Sequence, residues 1–250
     1  MIDNTYVITA AGGNGTAIRI LGSVLSRAGY EEQGRRLMAE TQRLGVEQVG
    51  FLVPADGHFE MGGGEFCGNA TRCAAALFSL LQRRARLSFT VSGFSGTVEA
   101  EVAQLDDRRF DVRCVFPGLQ VERRTVVAAG RAATLVDLGG IVHVVVEGDF
   151  PADYAALHRR VTEELSLGDR DAVGVLWIRQ GRQAVTMEPV VWVRSVDTFV
   201  HEASCGSGAI AVAETTGMET IIQPTGRPIL VSIAGDGVVV RSEVEVTHHY

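Results

Sequence analysis

The alternation of apolar and polar positions divides the chain into many short strands with a few helices between them. Residues 5–10 (Thr-Tyr-Val-Ile-Thr-Ala) are β-branched and aromatic and predict a strand. The segment Ala11-Gly12-Gly13-Asn14-Gly15-Thr16 carries enough glycine to predict an irregular loop, followed by a strand-like ribbon over 17–25. Residues 31–44 put Leu37, Met38 and Leu44 on one side and stop at Gly45, which predicts an amphipathic helix. An apolar strand over 48–53 is stopped by Pro54 and the Asp56-Gly57 turn, and a short strand follows over 58–61. After Gly62-Gly63-Gly64 the pattern switches to a helix over 68–83, with Ala74, Leu77, Phe78 and Leu81 as its apolar stripe.

Strands over 87–92, 97–104 and 110–116 lead to Pro117-Gly118, the best candidate for a boundary. Beyond it the pattern predicts strands near 125–128, 133–138 and 141–147, a helix over 152–165, and strands over 172–179, 184–188 and 190–194. A second Ala-rich helix over 206–216 ends at Gly217, and a last hairpin (229–234 with 238–246) turns at Gly235-Asp236-Gly237. The order of elements therefore repeats, and the strand pair at 89–98 corresponds to that at 230–239. The expected fold class is α/β (α+β), with two similar, pseudo-symmetric domains. The expected division is 1–118 and 119–237, with the last strand, 238–250, returning to the first domain.

Composition narrows the partners. The 250 residues suffice for a large core, and 46% hydrophobic with 21% charged residues is a globular balance. The net charge is −7, all 23 basic residues are arginine, and no basic run exceeds two residues, so neither nucleic acid nor an anionic membrane is an expected partner. No apolar run is long enough to span a bilayer, and Met1-Ile2-Asp3-Asn4 carries no secretory pattern, so the expected location is the cytoplasm. Cys67, Cys73, Cys114 and Cys205 form no Cys-x-x-Cys pair, and the step from Cys67 to Cys73 fits no common zinc spacing; no metal site is expected.

Two of these cysteines carry the chemistry. Glu65-Phe66-Cys67-Gly68-Asn69 and Glu202-Ala203-Ser204-Cys205-Gly206-Ser207-Gly208 each place Cys-Gly at the mouth of an Ala-rich helix. A helix start offers unpaired N–H groups and about half a positive charge, which suits a carboxylate and lowers a thiol pKa. Glycine lets the backbone approach a ligand closely. Two equivalent thiols suit a symmetrical task, one removing a proton from a carbon acid while the other donates from the opposite face. That inverts the α-carbon of an amino acid. With no lysine in the chain, a pyridoxal phosphate Schiff base has no anchor, and no cofactor is expected. Cys73 and Cys114 read as buried small hydrophobes. Gly12-Gly13-Asn14-Gly15 does not complete a dinucleotide fingerprint, since position 18 is Ile.

At Cys67-Gly68-Asn69-x-x-Arg72-Cys73, Cys205-Gly206-Ser207-Gly208 and Gly13-Asn14 the chain resembles the diaminopimelate-epimerase-like superfamily of pyridoxal-phosphate-independent amino-acid racemases and epimerases. The resemblance implies a diaminopimelate-epimerase-like fold, with a β-sheet wrapped around a central helix in each domain, and Cys67 and Cys205 as the acid/base pair. It implies Asn14, Gly68, Asn69, Gly206 and Ser207 as contacts of the amino-acid head group, with His143 lining the cleft and Glu202 a candidate reader of the side chain. The superfamily's distal-site residues are replaced. Its Glu-Arg pair is Val196 and Asp197, its Gly-Asn-Pro-His segment is Gly140-Ile141-Val142-His143, and a further Asn is Ala172. Diaminopimelate is therefore disfavoured, and the chain is most similar to the histidine racemases that feed staphylopine-type metallophore synthesis. Racemisation of another amino acid, diaminopimelate epimerisation, and non-catalytic amino-acid binding on the same fold are the alternatives. A homodimer is the expected assembly.

Overall fold

A computed structural model describes residues 4–194, 197–235 and 237–250, Thr198 by its backbone alone. Its first half runs β1 (Thr5–Ala10), β2 (Gly13–Ile20), α1 (Arg27–Thr41), β3 (Val46–Val53), β4 (His58–Met61), α2 (Gly68–Gln82), β5 (Arg86–Val91), β6 (Phe94–Gln104) and β7 (Arg109–Pro117). The second half runs β8 (Glu122–Ala128), β9 (Arg131–Asp137), β10 (Val142–Glu147), α3 (Tyr154–Glu164), β11 (Ala172–Gln180), β12 (Val185–Val193), β13 (Thr198–His201), α4 (Gly206–Thr216), β14 (Thr220–Ile222), β15 (Pro228–Ala234) and β16 (Gly237–His249).

The last strand organises the sheet. β16 pairs antiparallel with β7 on one side and with β1 on the other, so β1 to β7 and β16 close into a ring. From β16 the same sheet continues through β15, β14, β12, β11, β10 and β9 to β8. The result is a mixed α/β fold with a β-barrel and few helices. Among the described residues no helix is long and apolar enough to cross a membrane.

Helix α2 lies inside the ring, touching β1, β2 and β4 to β7 as well as β16. Every residue from Gly68 to Phe78 is buried, whereas Leu81, the expected end of an apolar stripe, is exposed. A helix that is buried all round needs small residues on every face, which the run Cys73-Ala74-Ala75-Ala76 supplies. Helix α4 is packed in the same manner through Ala213 against β15, β10, β11, β14 and β9. The main core joins both halves, from Ile8 and Phe78 to Ile210 and Val231. Two smaller clusters cover the outer faces, one with Tyr30 and Leu37 of α1 and one with Val161 of α3.

The structure corrects several local expectations. The glycine-rich stretch after β1 is a strand from Gly13 onward. A Cβ at Gly15 would sit 2.4 Å from Gly45 O and one at Gly13 2.6 Å from the Ala203 Cβ, so these glycines mark close approach within a strand. Helix α1 begins earlier, at Arg27, where the Ser26 hydroxyl accepts from Gly29 N. β12 runs straight through Pro189, because β14 pairs only at 185–186 and β13 only at 190–193; between them β12 has one strand neighbour, where proline is tolerated. The short strands β13 and β14 carry too few residues to show a period. Asp236, in the expected last turn, lies outside the described residues.

Candidate active site

The two Cys-Gly segments fold alike. Cys67 caps α2 at φ −131°, ψ 107° and Cys205 caps α4 at φ −141°, ψ 110°. Each sulfur accepts from the N–H three residues on, Ala70 N to Cys67 Sγ at 3.4 Å and Gly208 N to Cys205 Sγ at 3.3 Å. Extended backbone at the cap and a side-chain acceptor are what a helix start requires, and here thiols serve instead of hydroxyls.

The two starts touch each other. A Cβ at Gly206 would lie 2.8 Å from both Asn69 N and Gly68 C, and one at Gly68 would lie 3.1 Å from Gly206 C. The glycines were expected to admit a ligand; the space they leave is taken first by the opposite helix. Polar links then fasten the joint. Asn69 Nδ2 donates to Ser204 O at 2.9 Å and to Ser204 Oγ at 3.1 Å, and Asn14 Nδ2 donates to Ser204 O at 2.9 Å. Asn14 sits at φ +52°, a left-handed conformation that Asn tolerates better than most residues. Arg72, fully buried one turn into α2, donates to Gly68 O and Ser242 Oγ, both at 2.9 Å, and to Asn69 Oδ1. Gln223 Oε1 accepts from Cys205 N at 2.8 Å.

Of the nine residues expected in the site, Asn14, Cys67, Glu202, Cys205, Gly206 and Ser207 line one common cavity. Gly68 and Asn69 stand behind it as the joint between helices, with both ends of the Asn69 amide engaged. His143 was expected to line the cleft. It is instead buried behind Ser207, its Nε2 sharing a 2.9 Å hydrogen bond with Ser207 Oγ. The ring occupies the space left by Gly174, where a Cβ would fall 2.1 Å from its Nδ1. Among the described residues, Ile141 alone of the replaced distal positions reaches the cavity. Val142 belongs to the cluster beneath α3, Ala172 to the main core, and Asp197 accepts from Trp192 Nε1 at 3.3 Å on the outer surface. Val196 lies outside the described residues.

Sequence reading missed Gln48, Phe66, Val191 and Val193 as lining residues and gave Glu65, at the head of the first Cys-Gly segment, no role in the site. Cys67 Sγ donates to Gln48 Oε1 at 3.2 Å, and Gln48 Nε2 donates to Thr16 Oγ1 at 2.7 Å. A signal was present, since Gln48 is polar at the head of the otherwise apolar run Val49-Gly50-Phe51-Leu52-Val53. The cavity measures about 20 Å³, close to the space a single water requires. That space is too small for an amino acid.

Its electrostatics reverse the expected activation of the thiols. Burial pushes the Cys67 thiol up to about 12, the Glu202 charge adds to this, and the Ala70 N–H offsets only part. Cys205 is raised well above the ordinary thiol range by burial, then by the Glu202 charge and by its own hydrogen bond to Glu202. Burial pushes the Glu202 carboxyl up to about 8 against bonds from Cys205 and Asn14. Desolvation of a charge outweighs half a helix charge, so both thiols keep their protons near neutrality. His143 is driven down to about 3 by burial and is neutral.

This mixed α/β architecture recurs in solved structures of an epimerase-like protein and of the PhzF family. Its fold matches a predicted epimerase from Pseudomonas aeruginosa (TM-score 0.65, 15% identity, 98% of this chain and 96% of that one). It also matches a PhzF-family phenazine biosynthesis protein from Bacillus anthracis (TM-score 0.55, 11% identity, 98% and 96%). The model of the histidine racemase CntK N-terminal domain matches residues 14–235, and the chain belongs to that family. Histidine racemases from two strains of Fusobacterium nucleatum are similar to it, one 27% identical over 208 residues (76% of this chain, 75% of the relative) and one 28% over 203 (76% and 74%). The protein is an isomerase, an amino-acid racemase.

Proposed function

We propose that the chain racemises histidine by a two-base mechanism, with Cys67 and Cys205 as the base and acid on opposite faces of the α-carbon. The observation that carries this reading is the meeting of two identically capped helix starts around one cavity that both thiols line. One thiolate takes the α-proton, the opposite thiol delivers its own, and the enzyme is left with its two protonation states exchanged. The substrate carboxylate lies at the paired helix starts, whose N–H groups stabilise the charge that develops when the proton leaves. Burial keeps a proton on Glu202, hydrogen-bonded to Cys205, below about pH 8, so it takes a thiol proton only once it has ionised.

The family and its relatives support histidine as the substrate, and the product, D-histidine, suits the opine-type metallophore synthesis that the sequence resemblance implies. We read residues 1–118 with 238–250 as one lobe and 119–237 as the other, and substrate access as their separation, because the cavity is too small for any amino acid. Incubation with L-histidine in heavy water, without added cofactor, tests the reading. Deuterium at the α-carbon and loss of optical rotation are expected. No exchange with histidine or any other amino acid overturns it and leaves a binding protein.

A further inference from the structure

Arg72 stands where a charge is expensive. It is 0% exposed and is the only buried arginine among the described residues. A guanidinium keeps its proton in any protein setting, so the core holds a full positive charge. Such a charge is normally paired with a carboxylate. Among the described residues no carboxylate forms an ion pair with Arg72. Its Nε donates to Ser242 Oγ, one terminal nitrogen to Gly68 O and the other to Asn69 Oδ1, all uncharged acceptors. Burial lowers its pKa, and the titratable groups that oppose this most are thiols: Cys114 on β7, Cys73 on α2, then the two caps, Cys67 and Cys205.

The same side chain reaches both caps by hydrogen bonds. Gly68 opens α2 directly after Cys67. Asn69, its Oδ1 held by the guanidinium, turns its amide nitrogen to Ser204 O and Oγ, one residue before Cys205. Two-base racemisation keeps one thiolate and one thiol in the site at a time, so one negative charge has to be tolerated there. The neighbouring carboxyls do not help. Glu202 and Glu65 oppose ionisation of Cys67, and Glu202 opposes that of Cys205. Cys73 and Cys114, both 0% exposed, line no part of the cavity, so the positive charge is left to the caps. We infer that Arg72 is a positioning residue of the racemase, its unpaired buried charge serving as counter-ion to the single thiolate on whichever cap carries it. The inference rests on the two-base reading and deepens it. A charge placed behind the joint between the helix starts serves either sulfur as the proton passes from one to the other.

The test separates the charge from the hydrogen-bonding fork. Arg72→Gln removes the charge and keeps donors. Arg72→Lys keeps the charge and loses the fork. Ser242→Asp leaves the guanidinium in place and gives its Nε a carboxylate partner. kcat/KM for α-proton exchange of histidine in heavy water is followed against pH, where the acidic limb reports thiolate formation in the free enzyme. In Arg72→Gln and Ser242→Asp the limb should move up by about one pH unit or more, with about tenfold or greater loss of exchange below it. Arg72→Lys should keep the limb of the wild type whatever stability it loses. An unmoved limb in Arg72→Gln or Ser242→Asp when folded, or an equal shift in Arg72→Lys, overturns the inference. If neither charge-neutralising variant folds, Arg72 is a structural tie alone and the inference falls as well. If the wild type exchanges the α-proton of no amino acid, the racemase reading fails by itself. Ultraviolet thiolate absorbance during alkaline titration then judges the counter-ion, which falls if Arg72→Gln and the wild type ionise their thiols alike.

Discussion

The two helix starts share a backbone and differ in company. Both caps are extended and both sulfurs accept from the third N–H of their helix. Cys67 is half-buried and faces a neutral amide, Gln48, which is held in turn by Thr16. Cys205 is buried and faces an ionisable carboxyl, Glu202, with Ser207 Oγ at 3.7 Å. Similar backbone supplies two equivalent positions for a thiol, and the neighbouring side chains make the positions unequal. An amide does not titrate and a carboxyl raised to about 8 does, so only the Cys205 side has a neighbour whose charge changes near neutrality.

The largest effect should come from the sulfurs themselves. Cys67→Ser and Cys205→Ser should each reduce racemisation by about 10³-fold or more, the scale of a lost general acid or base. Each variant should still exchange the α-proton of one enantiomer, and a different one in the two cases. Proton NMR of L- and D-histidine in heavy water reads this directly. If both variants exchange the same enantiomer, the thiols do not stand on opposite faces.

The glycines separate the two starts next. A Cβ at Gly206 meets three atoms of the α2 start at 2.8–2.9 Å, two of them backbone, whereas one at Gly68 meets nothing nearer than 3.1 Å. Gly206→Ala should therefore destabilise by about 1–3 kcal/mol, the usual cost of overpacking, and Gly68→Ala by distinctly less. Thermal unfolding of the pair checks the order. Equal losses would mean that the joint yields symmetrically.

Much of this was legible from the chain. The duplicated Cys-Gly segments gave both helix starts at the right residues, because capping is a local matter and the helix follows from the next few positions. Six of the nine expected residues meet in one cavity, which the duplicated pattern pointed to although only long-range pairing brings Asn14 and the two caps together. His143 misled because a histidine on an apolar strand looks available until the neighbouring strand is known; Gly174 opposite it is what admits the ring and turns it toward Ser207. Thiol activation misled because the local pattern shows the helix field but not the burial or the approach of Glu202, which come from pairings across the whole chain. Gln48 and Glu65 were overlooked because each reads as an ordinary polar residue at the edge of its element. Their convergence follows from β3 pairing with β2 and β4.

The smallest expected effect isolates the unequal partners by pH. Glu202 is raised from the ordinary carboxyl value to about 8 and Glu65 to about 7, both mainly by burial. Above about pH 4.5 the unfolded chain ionises these groups while the folded chain keeps their protons, so the folded state binds more protons and stability falls as pH rises. His143 and His158 work in the opposite sense, since burial lowers both, but their contribution is complete once pH passes the ordinary histidine value of about 6.5. Both active-site thiols are raised far enough that their loss begins only near the ordinary cysteine value of about 8.5. Between about pH 6.5 and 8 the buried carboxyls act alone, and the ligand-free enzyme should lose a few degrees of Tm across that interval. Glu202→Gln should flatten the decline and Gln48→Ala should leave its slope unchanged, because the partner of Cys67 carries no proton to lose. A slope equally flattened by both substitutions would show that the two thiol sites are coupled through one shared charge and are not electrostatically distinct.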